Sequence, residues 1–202
     1  MQLYGMLDSP YVRRVAISLA YYGQAFEHRP LSVFGDYAAF EKINPVVKAP
    51  SLMLDDGTLL LDSSLILEYL EAISSHSLLP SSLDARAAVL NRVGLALTVC
   101  EKSIQLVYEH HLRPAEKRHQ PWIDRVKRQL EAGCRQLDQQ QSSIGDHPEE
   151  IITQADISTA VAWSFVQFHF GEEMPAPDYP ALTRHMTAME ARETFRRHPI
   201  EG

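Results

Sequence analysis

Strand candidates crowd into the first 61 residues of this chain, and from Ala85 onward apolar residues recur almost solely at helical spacing. That asymmetry restricts the fold. Alternating strands and helices build their own sheet, whereas a run of helices must bury its apolar stripes against other helices. The pattern therefore predicts a small α/β unit followed by an all-helical one.

Gln2 to Met6 form a short apolar run, and Pro10 opens "PYVRRVAISLAYYG", in which Val12, Val15, Ala16, Leu19 and Ala20 recur at helical spacing up to Gly23. "FEHRPLSV" is a second strand candidate, and Pro30 within it argues for an edge or late position rather than a central one. "FGDYAAFEKI" forms either a short helix or an irregular segment. After Pro50, "SLMLDDGTLLLD" reads as two strands joined across Asp56-Gly57, the strongest short hairpin signal in the chain. A helix from about Ser63 to Ala72 follows, which gives the order β-α-β-α-β-β-α. "SSHSLLPSSLDA" has linker composition. The expected boundaries are residues 1–74 for the α/β domain, 75–85 for the linker and 86–202 for the helical domain.

In the second half, "ARAAVLNRVGLALTVCEKSIQLVYEHHL" reads as one long helix and "PWIDRVKRQLEAGCRQLDQQQ" as another, opening with Pro121. A loop around Gly145 and Pro148 precedes "TQADISTAVAWSFVQFHF", where Thr153 and Asp156 have capping-box spacing before an apolar helix that ends near Gly171. "PDYPALTRHMTAMEARETFRRH" supplies one or two shorter helices.

Composition removes several classes of function. With 45% hydrophobic residues over 202 positions, disorder is not the main state. The formal charge of −7, from 26 acidic and 19 basic residues, speaks against nucleic acid as a partner, because phosphate-backbone affinity is built from clustered Lys and Arg. Cys100 and Cys134 are the only cysteines and show no CxxC or zinc-like spacing, so no metal site is expected and a reducing, cytoplasmic compartment is the natural setting. The N-terminus lacks a basic stretch followed by an apolar run, and no window approaches the ~18 apolar residues of a membrane span.

Four features recur in a telling order: "SPYVRRV" after the first strand, "KAP" before the hairpin, "DSSLILEYL" after it, and the Thr153/Asp156 box in the helical half. Together they make the chain similar, over essentially its whole length, to the glutathione S-transferase family. That resemblance implies a thioredoxin-like N-terminal domain followed by an all-helical C-terminal domain. It implies glutathione as co-substrate, a small-molecule electrophile as second substrate, and a homodimer.

The resemblance also implies site residues. Ala49-Pro50 takes the place of a cis peptide bond whose flanking N–H and C=O bind the cysteinyl backbone of glutathione as an added strand would; on sequence alone a trans proline opening a strand is the default. Asp62-Ser63 precedes an apolar helix, where a plain N-cap explains it and a ligand adds to the same geometry: Ser63 and the helix terminus receive the γ-glutamyl carboxylate while Asp62 meets the ammonium. Lys48 either reaches the glycyl carboxylate or is a solvated surface lysine. Ser9, before Pro10, occupies the position that activates the thiol in the family, where other members carry Tyr or Cys; a simple cap of the first helix is the competing reading.

Tyr4 and Tyr11 are rivals to Ser9, one within the strand and one within the helix. Tyr108 is a possible wall of the electrophile pocket, and His110 and His111 fit a solvated helix end equally well. Conjugation of glutathione competes with two alternatives: a non-catalytic binding or regulatory protein of the same fold, and glutathione-dependent reduction of disulfides or peroxides.

Overall fold

In a computed structural model, which describes residues 1–144 and 152–200, the chain begins with β1 (Gln2–Tyr4) and α1 (Pro10–Tyr21). Pro10 takes the first helical turn, where its missing N–H costs nothing and its fixed φ suits the helix. The helix stops at Gly23, φ +67°, where Gly23 N–H donates to Ala20 O and Gln24 N–H to Leu19 O, a Schellman closure that needs the left-handed backbone. β2 (Glu27–Arg29) and the short α2 (Tyr37–Glu41) follow, then β3 (Ser51–Met53), β4 (Leu59–Leu61) and α3 (Ser63–Ile73). The Asp56-Gly57 signal marks the hairpin between β3 and β4, with Gly57 at φ +87°.

The four strands lie in the order β2-β1-β3-β4, with β1 parallel to β2 and antiparallel to β3, and β3 antiparallel to β4. β2, the strand that Pro30 marks, is at an edge. Leu3, Val12, Val15, Leu19, Leu52, Ile66 and Leu70 are all fully buried, the strand residues Leu3 and Leu52 as cross-strand partners and the helix residues at three- and four-residue spacing.

The second half contains α4 (Leu83–His111), α5 (Gln120–Ile144), α6 (Gln154–Phe170), α7 (Pro180–Glu190) and α8 (Glu193–Arg196), with single 3-10 turns at Ala115–Lys117 and Ala176–Asp178 that carry no periodic sequence signal. α4 and α5 close on each other at Gly133, where a Cβ would lie 2.9 Å from Val99 Cγ2. α6 is buried nearly all round, as a helix at the centre of a bundle should be. Its start is fixed by the capping box: the Thr153 side chain accepts from Asp156 N–H while Asp156 accepts from Thr153 N–H at 2.8 Å. Buried Arg92 reaches that carboxylate at 3.4 Å and Gln141 Oε1 at 2.6 Å. The expected loop around Gly145 and Pro148 lies outside the described residues.

The chain divides into two compact units, Leu79–Glu190 and Met1–Leu78, the latter joined by the residues from Ala191 onward. The C-terminal segment is held in the first unit by Arg13, whose Nε donates to His198 O at 2.8 Å and whose guanidinium lies 5.6 Å from the Phe195 ring centroid. His198 also stacks on Phe26. No helix among the described residues is long and apolar enough to cross a membrane.

Candidate functional site

Strand register decides which loops meet. Tyr4 pairs with Ser51 and Ser51 with Leu61, so the end of β1, the start of β3 and the end of β4 lie in one row across the sheet. The segments that continue from that row are 5–9, 48–50 and 62–63. They leave the sheet at the same end, and the sequence-predicted residues Ser9, Lys48, Ala49, Pro50, Asp62 and Ser63 all belong to them.

The first segment turns at Gly5, φ +133°, whose O accepts from His28 Nε2 at 2.8 Å and whose N–H donates to Arg29 O at 3.1 Å. A Cβ on Gly5 would lie 2.5 Å from Val12 Cγ2 and 3.0 Å from the Ala49 Cβ, so the turn is sandwiched between α1 and the second segment. Ser9 caps α1: its Oγ accepts from Val12 N–H at 3.5 Å, and Arg13 N–H donates to its carbonyl. Accepting that bond leaves the hydroxyl proton for another acceptor, so capping and donation to a ligand are compatible. The Asp8 carboxyl is held above its ordinary range by desolvation, although it also accepts from the Ser9 N–H. Of the rivals, Tyr4 donates to Gln2 Oε1 at 2.5 Å, and Tyr11 is half-buried in the first turn of α1.

The second segment is organised by two residues that the sequence reading did not single out. Buried Asn44 donates through Nδ2 to Lys48 O at 3.3 Å and to Ser51 Oγ at 3.0 Å, and its Oδ1 accepts from Val46 N–H. Ser51 Oγ donates to the same Lys48 carbonyl at 2.7 Å. The Asn44-Pro45 dipeptide was the available signal. Val47 sits at φ +50°, unusual for a β-branched residue, and the Ala49–Pro50 peptide is cis. Among the described residues no backbone hydrogen bond engages Ala49.

In the third segment Asp62 caps α3, accepting from Ser64 N–H at 2.9 Å, with its own backbone at φ +67° and ψ 125°. Such a conformation in a non-glycine residue marks a position held by its surroundings. Ser63, the first residue of the helix, is buried. Lys48 Nζ stands 3.8 Å from Asp62 Oδ2 with both side chains about half exposed, a pair that contributes little to stability.

Tyr108 belongs to the second unit, where it lines a cavity of about 320 Å³ with Glu109, Leu112, Arg113, Pro114 and Lys117. His110 and His111 occupy the last turn of α4, and the His110 carbonyl accepts from Arg118. Cys100 and Cys134 are free and buried, and burial pushes the Cys134 thiol up to about 12, which leaves it inert as a nucleophile. Among the described residues no group of three His, Cys, Asp or Glu side chains could hold a metal ion.

A four-stranded mixed sheet with α1 and α3, a turn entering β3 through a cis proline and an all-helical second unit together define a thioredoxin-like domain joined to a helical one. Residues 3–77, the segment that carries the sheet, match the family model described as "Glutathione S-transferase, N-terminal domain". The chain is 27% identical to the uncharacterized GST-like protein YibF of Escherichia coli over 98% of this chain and 97% of the relative. A glutathione S-transferase from Methylobacterium radiotolerans, solved with glutathione sulfonate, is similar at a TM-score of 0.89 and 27% identity, covering 100% of this chain and 95% of that one. One from Methylobacillus flagellatus with glutathione bound gives 0.89 and 27%, covering 98% of each chain.

Proposed function

We propose that this chain is a glutathione transferase that binds glutathione on its first unit, ionises the thiol beside Ser9 and conjugates it to a small electrophile. The observation that carries this reading is the shared row of Tyr4, Ser51 and Leu61, which brings three segments with complementary chemistry to one end of the sheet. The glutathione and glutathione sulfonate held by the two relatives support it.

Each part of the tripeptide has a partner in this scheme. The N–H and C=O of Ala49 pair with the cysteinyl backbone, and cis Pro50 shapes the turn that presents them. The γ-glutamyl carboxylate meets Ser63 and the N-terminus of α3, and its ammonium meets Asp62. Lys48 leaves its 3.8 Å pair with Asp62 to take the glycyl carboxylate, an exchange that costs little for half-exposed groups. Ser9 donates its hydroxyl proton to the sulfur, where the N-terminus of α1 also favours negative charge. A two-unit fall in thiol pKa requires about 2.7 kcal/mol. A hydroxyl bond to an anion, about 1.5–3 kcal/mol, together with the helix terminus supplies that amount.

The test is the ultraviolet thiolate absorbance of bound glutathione against pH. Ser9→Ala should move the titration toward the free thiol, near 8.5, and slow conjugation at neutral pH while leaving glutathione affinity nearly intact. Coincident titration curves for wild type and variant would remove Ser9 from this role and leave it as a cap. The same reading makes the chain a cytoplasmic homodimer, and a monomer mass by light scattering at micromolar concentration would refute the dimer.

A further inference from the structure

Arg14 and Ser63 come from different helices and meet out of solvent. Arg14, on α1, is 2% exposed and Ser63, the first residue of α3, is 4% exposed. The Arg14 Nη1 lies 3.1 Å from Ser63 Oγ and 3.4 Å from Ser64 Oγ. A guanidinium has N–H donors only and stays charged, so in this contact the serine oxygen accepts. The Ser63 proton is thereby turned away from Arg14, and among the described residues no acceptor takes it.

A free serine hydroxyl rotates and presents either a donor or an acceptor. Beside a fixed buried cation that choice is gone. Ser63 becomes a committed donor at a helix N-terminus, where the backbone dipole already favours negative charge. The same cation lies one oxygen atom behind the hydroxyl and polarises it toward an anion in front.

We infer that Arg14 is a positioning residue: it fixes the Ser63 hydroxyl as a donor and so makes the N-terminus of α3 selective for a ligand carboxylate. This rests on the reading that Ser63 receives the γ-glutamyl carboxylate of glutathione. Arg14 itself touches no ligand atom in this scheme. Its effect is on selectivity between carboxylate and non-carboxylate ligands, which a residue that merely ties α1 to α3 would not alter.

The experiment compares two ligands by calorimetry: glutathione and 4-aminobutyryl-cysteinyl-glycine, which keeps the ammonium and lacks the γ-glutamyl carboxylate. Wild type should prefer glutathione about tenfold or more, as for one hydrogen bond to a charged group. Arg14→Lys, still a pure donor of similar length, should keep most of that preference. Arg14→Gln preserves bulk but offers an amide oxygen that can accept the Ser63 proton, and should bring the two affinities together. Ser63→Ala should do the same, and the Arg14→Gln/Ser63→Ala double variant should lose no further selectivity. A preference that survives in Arg14→Gln, with both affinities unchanged or lowered in parallel, overturns the role of Arg14 while leaving the γ-glutamyl placement standing. Equal affinities in wild type overturn that placement and the inference together.

Discussion

Gly5→Ala replaces one hydrogen by a methyl group at the place where the turn after β1 is sandwiched between α1 and the Ala49–Pro50 segment. The new Cβ would stand 2.5 Å from Val12 Cγ2 and 3.0 Å from the Ala49 Cβ, on a backbone at φ +133°. The backbone conformation costs an L-residue about 1–3 kcal/mol. Overpacking against two fixed side chains costs about 1–3 kcal/mol more, since neither Val12 nor Ala49 has a flexible end to move aside. Lower entropy of the unfolded chain offsets about 0.4–1 kcal/mol. The net expectation is a loss of about 1–5.6 kcal/mol, centred near 3. Gly23→Ala serves as a control for the backbone alone, with φ +67° and nothing within 4 Å of its Cβ; it should lose no more than about 1–2 kcal/mol. Gly94→Ala, exposed on α4 with open space around it, should gain about 0.5–1 kcal/mol. Trp122 and Trp163 both lie in the second unit, so their emission does not report on Gly5 directly. Urea unfolding should be followed by far-ultraviolet dichroism, with amide exchange of β1 and α1 to localise the change. A Gly5→Ala protein within 0.5 kcal/mol of the parent, or indistinguishable from Gly23→Ala, would refute the steric reasoning.

Two further outcomes test other parts of the fold. Asp156→Ala removes a carboxylate that is 1% exposed, caps α6 and faces Arg92 across 3.4 Å; leaving that arginine buried without its counter-charge should cost about 3–5 kcal/mol in denaturant unfolding read by tryptophan emission, and a loss under about 1 kcal/mol would contradict it. His198 has its pKa lowered from 6.5 by burial first, with the charges of His28, Arg13 and Arg197 acting in the same direction against the Thr194 carbonyl bond. The folded protein therefore binds fewer protons than the unfolded one, and this contribution is fully present above pH 6.5 and is lost as pH falls from there through the lower folded value. His198→Gln should flatten the decline in unfolding free energy between neutral and mildly acid pH, and an unchanged slope would refute the assignment.

Much of the fold could be read locally because its punctuation is local. Asp56-Gly57, Thr153 with Asp156, Pro10 and Gly23 each fix a turn or a helix end through contacts within a few residues, and each occupies that place in the structure. Pro30 marked an edge strand for the same reason. The residues that went unread depend on distant partners. Arg13 and Arg14 lie on a helix whose apolar spacing assigns them to the solvent face, yet both are buried because His198, Phe195 and Ser63 come to meet them from elsewhere in the chain. Val47 takes a left-handed backbone with no glycine or asparagine to announce it. Asn44 and Ser51 are ordinary polar residues until the turn brings both onto the Lys48 carbonyl.

The C-terminal residues that cover Arg13 have a bearing on biosynthesis. β1, α1 and α3 are all complete by Ile73, yet Phe195 and His198, which seat the Arg13 guanidinium, are made more than a hundred residues later. A growing chain can thus form the sheet early, but it must carry a guanidinium without its native cover through synthesis of the whole helical unit. A nascent chain halted near residue 190 would present an N-terminal unit with its strands in place and an Arg13 guanidinium that still lacks the His198 carbonyl and the Phe195 ring.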